Sequence, residues 1–438
     1  MSRRILITGL GVVSPFGVGV DALWEGLLAG ESRLRRIERF DPAGFRCRLA
    51  GEVRDYAAKD HVPKSYRKAV KVMARDIELA VGAAKAAVEH AGILTKGVLP
   101  EGSSDAPTYA PSRVGCHIGA GLIAAETDEL TGALATARGA DGRFDLRAWG
   151  ESGVNNLQPL WLLKYLPNML ACHVTIIHDA QGPSNTITCA EASGGLSIGE
   201  SMRVIERGDA DLCFSGGAES KINFMGLLRM DLAGRLARTE DEPDGAKIVR
   251  PFDRAAPGGV LGEAGAIVML EAADTAQRRS AKGYAELVGF GAGQSPWSDD
   301  ASVRAEGLIG AIESALEDAG VRAEEIDAIV PHGSGIREVD AEEAAALRRV
   351  FGARLRDVPL VTVTPNVGDA MAGGGGLAAC VGAMCLARQA LPARLHAGAA
   401  PEDLQAGAAG QRDARLRHVL VCTNALGGQN AALVLRAV

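Results

Sequence analysis

The sequence predicts an α/β protein assembled from two related halves, and three observations carry that expectation. Apolar strand-like runs alternate with longer helical patterns, which calls for sheets covered by helices. A small-residue helical pattern at 76–93 recurs at 307–321, ending at Gly92 in the first copy and Gly320 in the second. Of 438 residues, 47% are hydrophobic and 23% charged, a balance that excludes disordered, collagen-like and disulfide-scaffold classes.

Taken in order, the elements of the two halves correspond. Each half opens near an apolar, glycine-bearing strand, Ile5 to Gly11 and Ala285 to Gly293. The repeated helix follows, then a strand running into a small-residue turn: Val114–Gly119 in one half, Ile326–Val330 and His332-Gly333 in the other. Later a Gly/Ala-rich stretch opens a helix, at Glu191–Gly199 and at Asp369–Ala379. Duplication places those two helix starts close together across a pseudo-twofold axis. The halves are assigned as 1–271 and 272–438, joined through 272–284. Residues 98–112, 136–156 and 235–248 read as polar surface loops.

Several function classes are excluded early. The net charge is −7, so nothing global favours nucleic acid. The apolar run after Arg3 and Arg4 is too short for a secretory signal, and no stretch reaches the ~18 apolar residues of a membrane span. Eight cysteines lie scattered without a CxxC pair, which favours reduced, buried thiols and a cytoplasmic location over disulfides or zinc.

Chemistry concentrates in 182–219. Asn185, Thr186, Ile187, Thr188 and Cys189 read as a strand, and Ala192–Arg207 as a helix. A strand-to-helix turn holds one side chain where backbone N–H groups and the helix dipole favour negative charge, a common seat for acyl-transfer nucleophiles.

Here the chain resembles the β-ketoacyl-ACP synthase (ketosynthase) family of the thiolase superfamily, over about residues 4–438. The resemblance rests on ordered motifs: Ile7-Thr-Gly-Leu-Gly-Val-Val-Ser-Pro15, Gly182-Pro-Ser184, Gly208-Asp-Ala-Asp211, Gly216-Gly-Ala-Glu219, Arg250-Pro-Phe-Asp253, Gly262-Glu263 with Gly265, His332-Gly333, and Gly427-Gly428 with Asn430. It implies the thiolase fold, a duplicated αβαβα five-layer sandwich, with no cofactor and no metal.

The family's reactive residues are mostly replaced. Its cysteine nucleophile follows Gly-Pro-Ser by seven residues; that place is held by Glu191, before Ser193-Gly194. The first family histidine is kept as His332. The second, in a Lys-Ser-x-x-Gly-His stretch, aligns with Asp369, and the lysine with Thr364. The Asn-x-Phe-Gly-Phe-Gly-Gly turn reads Cys422-Thr-Asn424-Ala-Leu426-Gly-Gly, so Asn424 stands at the gatekeeping phenylalanine and Leu426 at the second aromatic of the acyl-tunnel gate.

Elementary chemistry argues against condensation at such a site. A carboxylate could carry an acyl group only as a mixed anhydride, uphill of the incoming thioester. Glu191 and Asp369, both ionised at ~5 Å, repel by about 3 kcal/mol at an effective dielectric of ~20, roughly a hundredfold in rate. Either one carboxyl shares a proton or His332 is held cationic between them. Cys189, two residues upstream, reads as a buried strand residue, and His117, His173 and His178 as core histidines beside apolar strands. Glu191, Asp369 and His332 match a facial metal triad in residue type alone, and no metal is assigned.

Lys64, Arg67, Lys68, Lys71 and Arg75 fall on a predicted helix as a basic stripe in an acidic protein. The resemblance places Lys64, Arg67 and Lys68 where ketosynthases dock the acidic acyl carrier protein. It also implies that the strand Asn185–Cys189 pairs across a dimer interface, in a homodimer or with an active ketosynthase α-type subunit. A cysteine-less subgroup, the chain length factor or KSβ, forms such heterodimers in type II polyketide systems and shapes the acyl tunnel. Glutamine is its usual replacement, so Glu191 departs from that pattern too. Two other readings stay open. One is a stand-alone malonyl-ACP decarboxylase or related enzyme using Glu191 and His332; the other is a homodimeric acyl-binding protein.

Overall fold

The computed structural model describes residues 3–100, 102–240 and 242–438. Met1 and Ser2 of the N-terminal run, Glu101 of the 98–112 loop and Asp241 of the 235–248 loop lie outside the described residues.

Nine strands form the main sheet: β1 (Ile5–Ser14), β2 (Val114–Gly119), β3 (Ser184–Ile187), β4 (Leu212–Ser220), β5 (Glu263–Ala272), β6 (Ala285–Gln294), β7 (Ala328–Val330), β8 (His418–Asn424) and β9 (Gln429–Arg436). Their order is β7-β8-β9-β6-β1-β5-β4-β2-β3, and a short tenth strand, Gly17–Val18, pairs with β1. In the first half β2 is parallel to β4, β4 antiparallel to β5, and β5 antiparallel to β1. The second half repeats this: β7 is parallel to β8, β8 antiparallel to β9, and β9 antiparallel to β6. The halves meet where Ile5–Ile7 pair antiparallel with Ala285–Leu287.

Seven helices build the layers around these strands: α1 (Arg75–Ala91), α2 (Met169–His178), α3 (Ser193–Glu206), α4 (Phe224–Leu232), α5 (Glu306–Ala319), α6 (Arg337–Phe351) and α7 (Ala372–Arg388). Helix α1 covers the outer face of the first half and α5 that of the second, while α3 and α7 run between them. The result is the αβαβα sandwich. Its middle layer is apolar, with Ile198, Met202, Leu377 and Val381 packed against Val421 and Leu433.

The recurring small residues have a steric cause. A β-carbon on Gly11 of β1 would stand 2.0 Å from the Ala83 carbonyl oxygen of α1, and one on Gly291 of β6 would stand 2.0 Å from that of Ala311 in α5. Strand and helix therefore touch backbone to backbone at equivalent places in both halves. The helix starts of the middle layer do the same: a β-carbon on Gly375 would lie 2.4 Å from the Gly195 nitrogen. Both repeated helices end alike, with Gly92 at φ 62° and Gly320 at φ 61° closing left-handed caps.

Local structure departs from expectation in several places. The strand expected over Asn185–Cys189 is Ser184–Ile187; Thr188 and Cys189 lie beyond its end. Ala190, at φ 46°, turns the chain out of the extended register, so Cys189 and Glu191 do not share a pleat face. His173 and His178 sit in helix α2, not beside a strand, because the apolar run 169–178 packs one face onto the core. The basic stripe is not one helix: Lys64–Val72 is a 3-10 helix, and Arg75 begins α1 with its guanidinium buried on Glu263 at 2.9 Å. Residues 136–156 contain the short helix Leu146–Glu151, capped by Asp145, and the 235–248 segment begins on a buried arginine.

Candidate functional site

Four loops at the ends of the middle-layer strands and helices bring the site together. Glu191 lies on the 3-10 turn Ala190–Ala192 that feeds α3; His332 follows β7; Asp369 precedes α7; Asn424 ends β8. Three non-glycine residues in or beside these loops, Ala190, Phe252 and Met371, hold positive φ values of 46°, 66° and 50°. Such conformations cost on the order of 1 kcal/mol or more each and tend to gather where backbone geometry serves a site.

The side chain at position 191 is fully engaged. Arg235 Nη2 donates to Glu191 Oε1 at 2.5 Å, and the Leu426 amide donates to Oε2 at 3.2 Å. Glu191 and Arg235 are 2% and 6% exposed at the side chain, so their attraction is little screened. Arg235 is held just beyond α4, after Gly234 at φ 68°. The sequence reading placed it in a mixed-charge surface loop. One signal pointed to it: two carboxylates in one buried site require cations, and Arg235 stands between Gly234 and the apolar pair Leu236-Ala237.

His332 is gripped from three sides. Its Nδ1 lies 2.9 Å from Asn424 Oδ1, and its Nε2 lies 3.6 Å from Asp369 Oδ2, an ion-pair distance too long for a hydrogen bond. Its backbone amide and that of Gly333 donate to the two oxygens of Glu343 on α6, each at 2.8 Å. One turn earlier, Asp340 accepts from the amides of Ser334, Gly335 and Phe252. Thr364 is buried and spends its hydroxyl on the Gly333 carbonyl.

Electrostatics follow from this packing. Burial opposes a charge on His332, but Asp369, Glu191 and Glu343 outweigh it and push the imidazole up to about 10. Burial would also raise Asp369, yet its neighbour His332 holds it below the ordinary carboxylate value. For Glu191 burial wins over Arg235, and the carboxyl is pushed upward. Burial lifts Glu343 to about 7. Two cations, Arg235 and His332, thus stand against two acidic side chains, Glu191 and Asp369. The repulsion expected between the carboxyls is relieved by a cation on each side.

Glu191, His332 and Asp369 line a cavity of about 30 Å³ with Val363, Met371 and Leu377. That is room for a water or two, not for an acyl chain. Cys189 does not line it; its thiol is half-buried, is raised by burial, and its amide is tied to Ser193 Oγ at 2.8 Å. Leu426 is exposed, whereas Asn424 is buried with its side chain on His332. Among the described residues no cluster of three or more His, Cys, Asp or Glu is arranged to hold a metal ion, and no helix is long and apolar enough to cross a membrane.

Away from this centre, Lys64, Arg67, Lys68 and Lys71 are exposed, and none forms an ion pair among the described residues. Strand β3 is the edge of the sheet: among the described residues it pairs only with β2, its Ser184 and Asn185 are exposed, and Thr186 and Ile187 are half-buried.

Residues 2–276 match the family model "Beta-ketoacyl synthase, N-terminal domain" and residues 284–398 match "Beta-ketoacyl synthase, C-terminal domain". The chain belongs to the beta-ketoacyl synthase family. This ketosynthase-family chain is 28% identical over 438 residues to a 3-oxoacyl-[acyl-carrier-protein] synthase 2 of Staphylococcus aureus, covering 99% of this chain and 98% of that one. Among solved structures it resembles the ishigamide ketosynthase/chain length factor, with TM-score 0.83, 27% identity and full coverage of both chains. A beta-ketoacyl synthase from Burkholderia phymatum superposes with TM-score 0.82 at 25% identity, again over both full chains. The thiolase-type ketosynthase fold is therefore shared along the whole length.

Proposed function

We propose that this ketosynthase-family chain is a non-condensing subunit of chain length factor (KSβ) type. It pairs with an active ketosynthase and shapes the acyl tunnel during polyketide or fatty-acid-like elongation. The observation that carries the reading is that Glu191, where the resemblance expects the nucleophile, has both oxygens committed, one to Arg235 and one to the Leu426 amide. The nearby Cys189 does not line the cavity, Cys422 at its wall is buried with its thiol pushed well up by burial, and His332 is held between Asn424 and Asp369 as a cation. Similarity to a ketosynthase/chain length factor structure over the whole chain supports the same reading.

The rest of the assignment follows. The edge strand, Asn185–Ile187 with Thr188 and Cys189 after it, is the partner-facing element, since an unpaired edge is a template for another strand. Lys64, Arg67 and Lys68 dock an acyl carrier protein, whose acidic surface suits an unpaired basic stripe. Asn424 and Leu426 stand at the tunnel wall, and the recurring strand order supports a division into units 1–271 and 272–438. The free cysteines fit a cytoplasmic protein. A decarboxylase using Glu191 is disfavoured by the same ion pair, which occupies the carboxylate it would need.

The test is reconstitution. The chain is purified alone and together with a cysteine-bearing ketosynthase from the same genome, then supplied with malonyl- and acyl-loaded carrier protein. Alone, it should neither condense nor gain acyl mass; together, condensation should depend on the partner's cysteine. Turnover by the isolated chain, with acyl mass on Cys189 or Glu191, overturns the proposal.

A further inference from the structure

A second charged pocket lies apart from the site, beneath the flap formed by residues 389–416. Ala390–Leu391 pair with Arg412–Asp413, and an isolated bridge joins Arg394 to Ala409, so Arg394 and Arg412 sit on one hairpin. The flap closes over the extended segment Pro359–Thr362 and encloses a cavity of about 10 Å³. Arg394 and Arg412 line it, and no carboxylate does.

Two side chains there are left short of a partner. Arg394 gives its Nε to the Gly407 carbonyl and its Nη1 to that of Leu360, at 2.7 Å, while Nη2 has no acceptor among the described residues. Neither the half-buried Arg394 nor the exposed Arg412 forms an ion pair among the described residues, whereas Arg75, Arg235 and Arg279 each do. Burial, then the positive charge of Arg412, pushes Arg394 down to about 10. Thr362, only 2% exposed, lines the same cavity with an Oγ1 that has no hydrogen-bond partner. The half-buried Arg394 guanidinium keeps one nitrogen free and the buried Thr362 hydroxyl has no acceptor, so both lack the same thing.

We propose that this cavity is a binding site for one small inorganic anion of halide size, held by Arg394, Arg412 and Thr362. The anion accepts from Arg394 Nη2 and the Thr362 hydroxyl and offsets the two guanidinium charges. Size sets the class: a cavity this small excludes phosphate, sulfate and carboxylates. Arg412 is exposed at the mouth, giving a route in from solvent. The ion ties the flap to a segment that continues into Val363 and Thr364 of the candidate site.

Two measurements test this on the full chain. Thermal unfolding is followed in sodium chloride, sodium bromide and sodium gluconate at equal ionic strength, gluconate being too bulky to enter. The midpoint should rise by about 1 °C or more in either halide, and Thr362→Val and Arg412→Met should each abolish that rise while circular dichroism stays unchanged. Crystals soaked in bromide should show an anomalous peak beside Arg394. Equal midpoints in halide and gluconate, or a single water with no anomalous signal at that position, would overturn the assignment.

Discussion

Glu191 and Arg235 stand 44 residues apart in the chain and meet at 2.5 Å in the buried floor of the site. The contact makes the acid at this strand-to-helix turn one half of an ion pair. His332 and Asp369 form the other half, so the cluster is close to neutral as a unit and unstable to removal of any one charge.

That coupling predicts a large cost for Arg235→Met. Glu191 and Asp369 would then share one cation, and stability should fall by about 3–5 kcal/mol, the usual cost of breaking a buried pair from one side. The double variant Glu191→Gln with Arg235→Met should recover much of the loss. Urea unfolding checks both, and a single-variant loss below about 1 kcal/mol would show the pair to be solvated.

His332 predicts an alkaline limit. Its folded value, about 10, lies above the ordinary 6.5, so the charged form is favoured in the native state. The stabilisation is fully present below about pH 6.5 and is lost progressively as pH rises towards 10. Asp369 acts oppositely: its lowered carboxyl supports the fold above the ordinary 3.8 and ceases to as pH falls below it. Urea midpoints across pH 6–10 should decline for the natural chain and stay flatter for His332→Asn. A parallel decline in both would place the cause elsewhere.

Restoring sulfur should not restore condensation. In Glu191→Cys the thiol would face Arg235 and the cationic His332, which favour its thiolate, so iodoacetamide should label it faster than Cys189. Asp369 and Thr364 would still stand where the family has histidine and lysine, so elongation should stay at background. Mass spectrometry and a product assay read the two outcomes, and measurable elongation by this variant would contradict the proposed role of Asp369.

Carrier-protein docking should be electrostatic. Reversing charge at Lys64, Arg67 and Lys68 together should weaken binding of an acyl carrier protein tenfold or more, about 1.4 kcal/mol, with most of the change in association rate and salt sensitivity. Surface plasmon resonance at two salt concentrations measures this. An unchanged dissociation constant would assign the stripe to solvent alone.

Much of the architecture was legible because it depends on local and periodic features. Gly92 and Gly320 close their helices by the same left-handed cap, and the strand glycines mark where backbone meets backbone. Segments whose local signal is mixed were misread: 169–178 is apolar enough for a strand, and only its packing makes it a helix. Lys64–Arg75 has helical spacing throughout, yet Arg75 turns inward because Glu263 is buried opposite it.

By itself the amino-acid sequence determined the duplicated α/β layering, the ordered family motifs and an acidic residue at position 191, since these are properties of residue type and spacing. Only the tertiary structure decided what that acid does. Arg235 and the Leu426 amide reach it from distant loops, and Asn424 turns onto His332. Charge compensation in a buried site depends on three-dimensional distance, which no local pattern encodes.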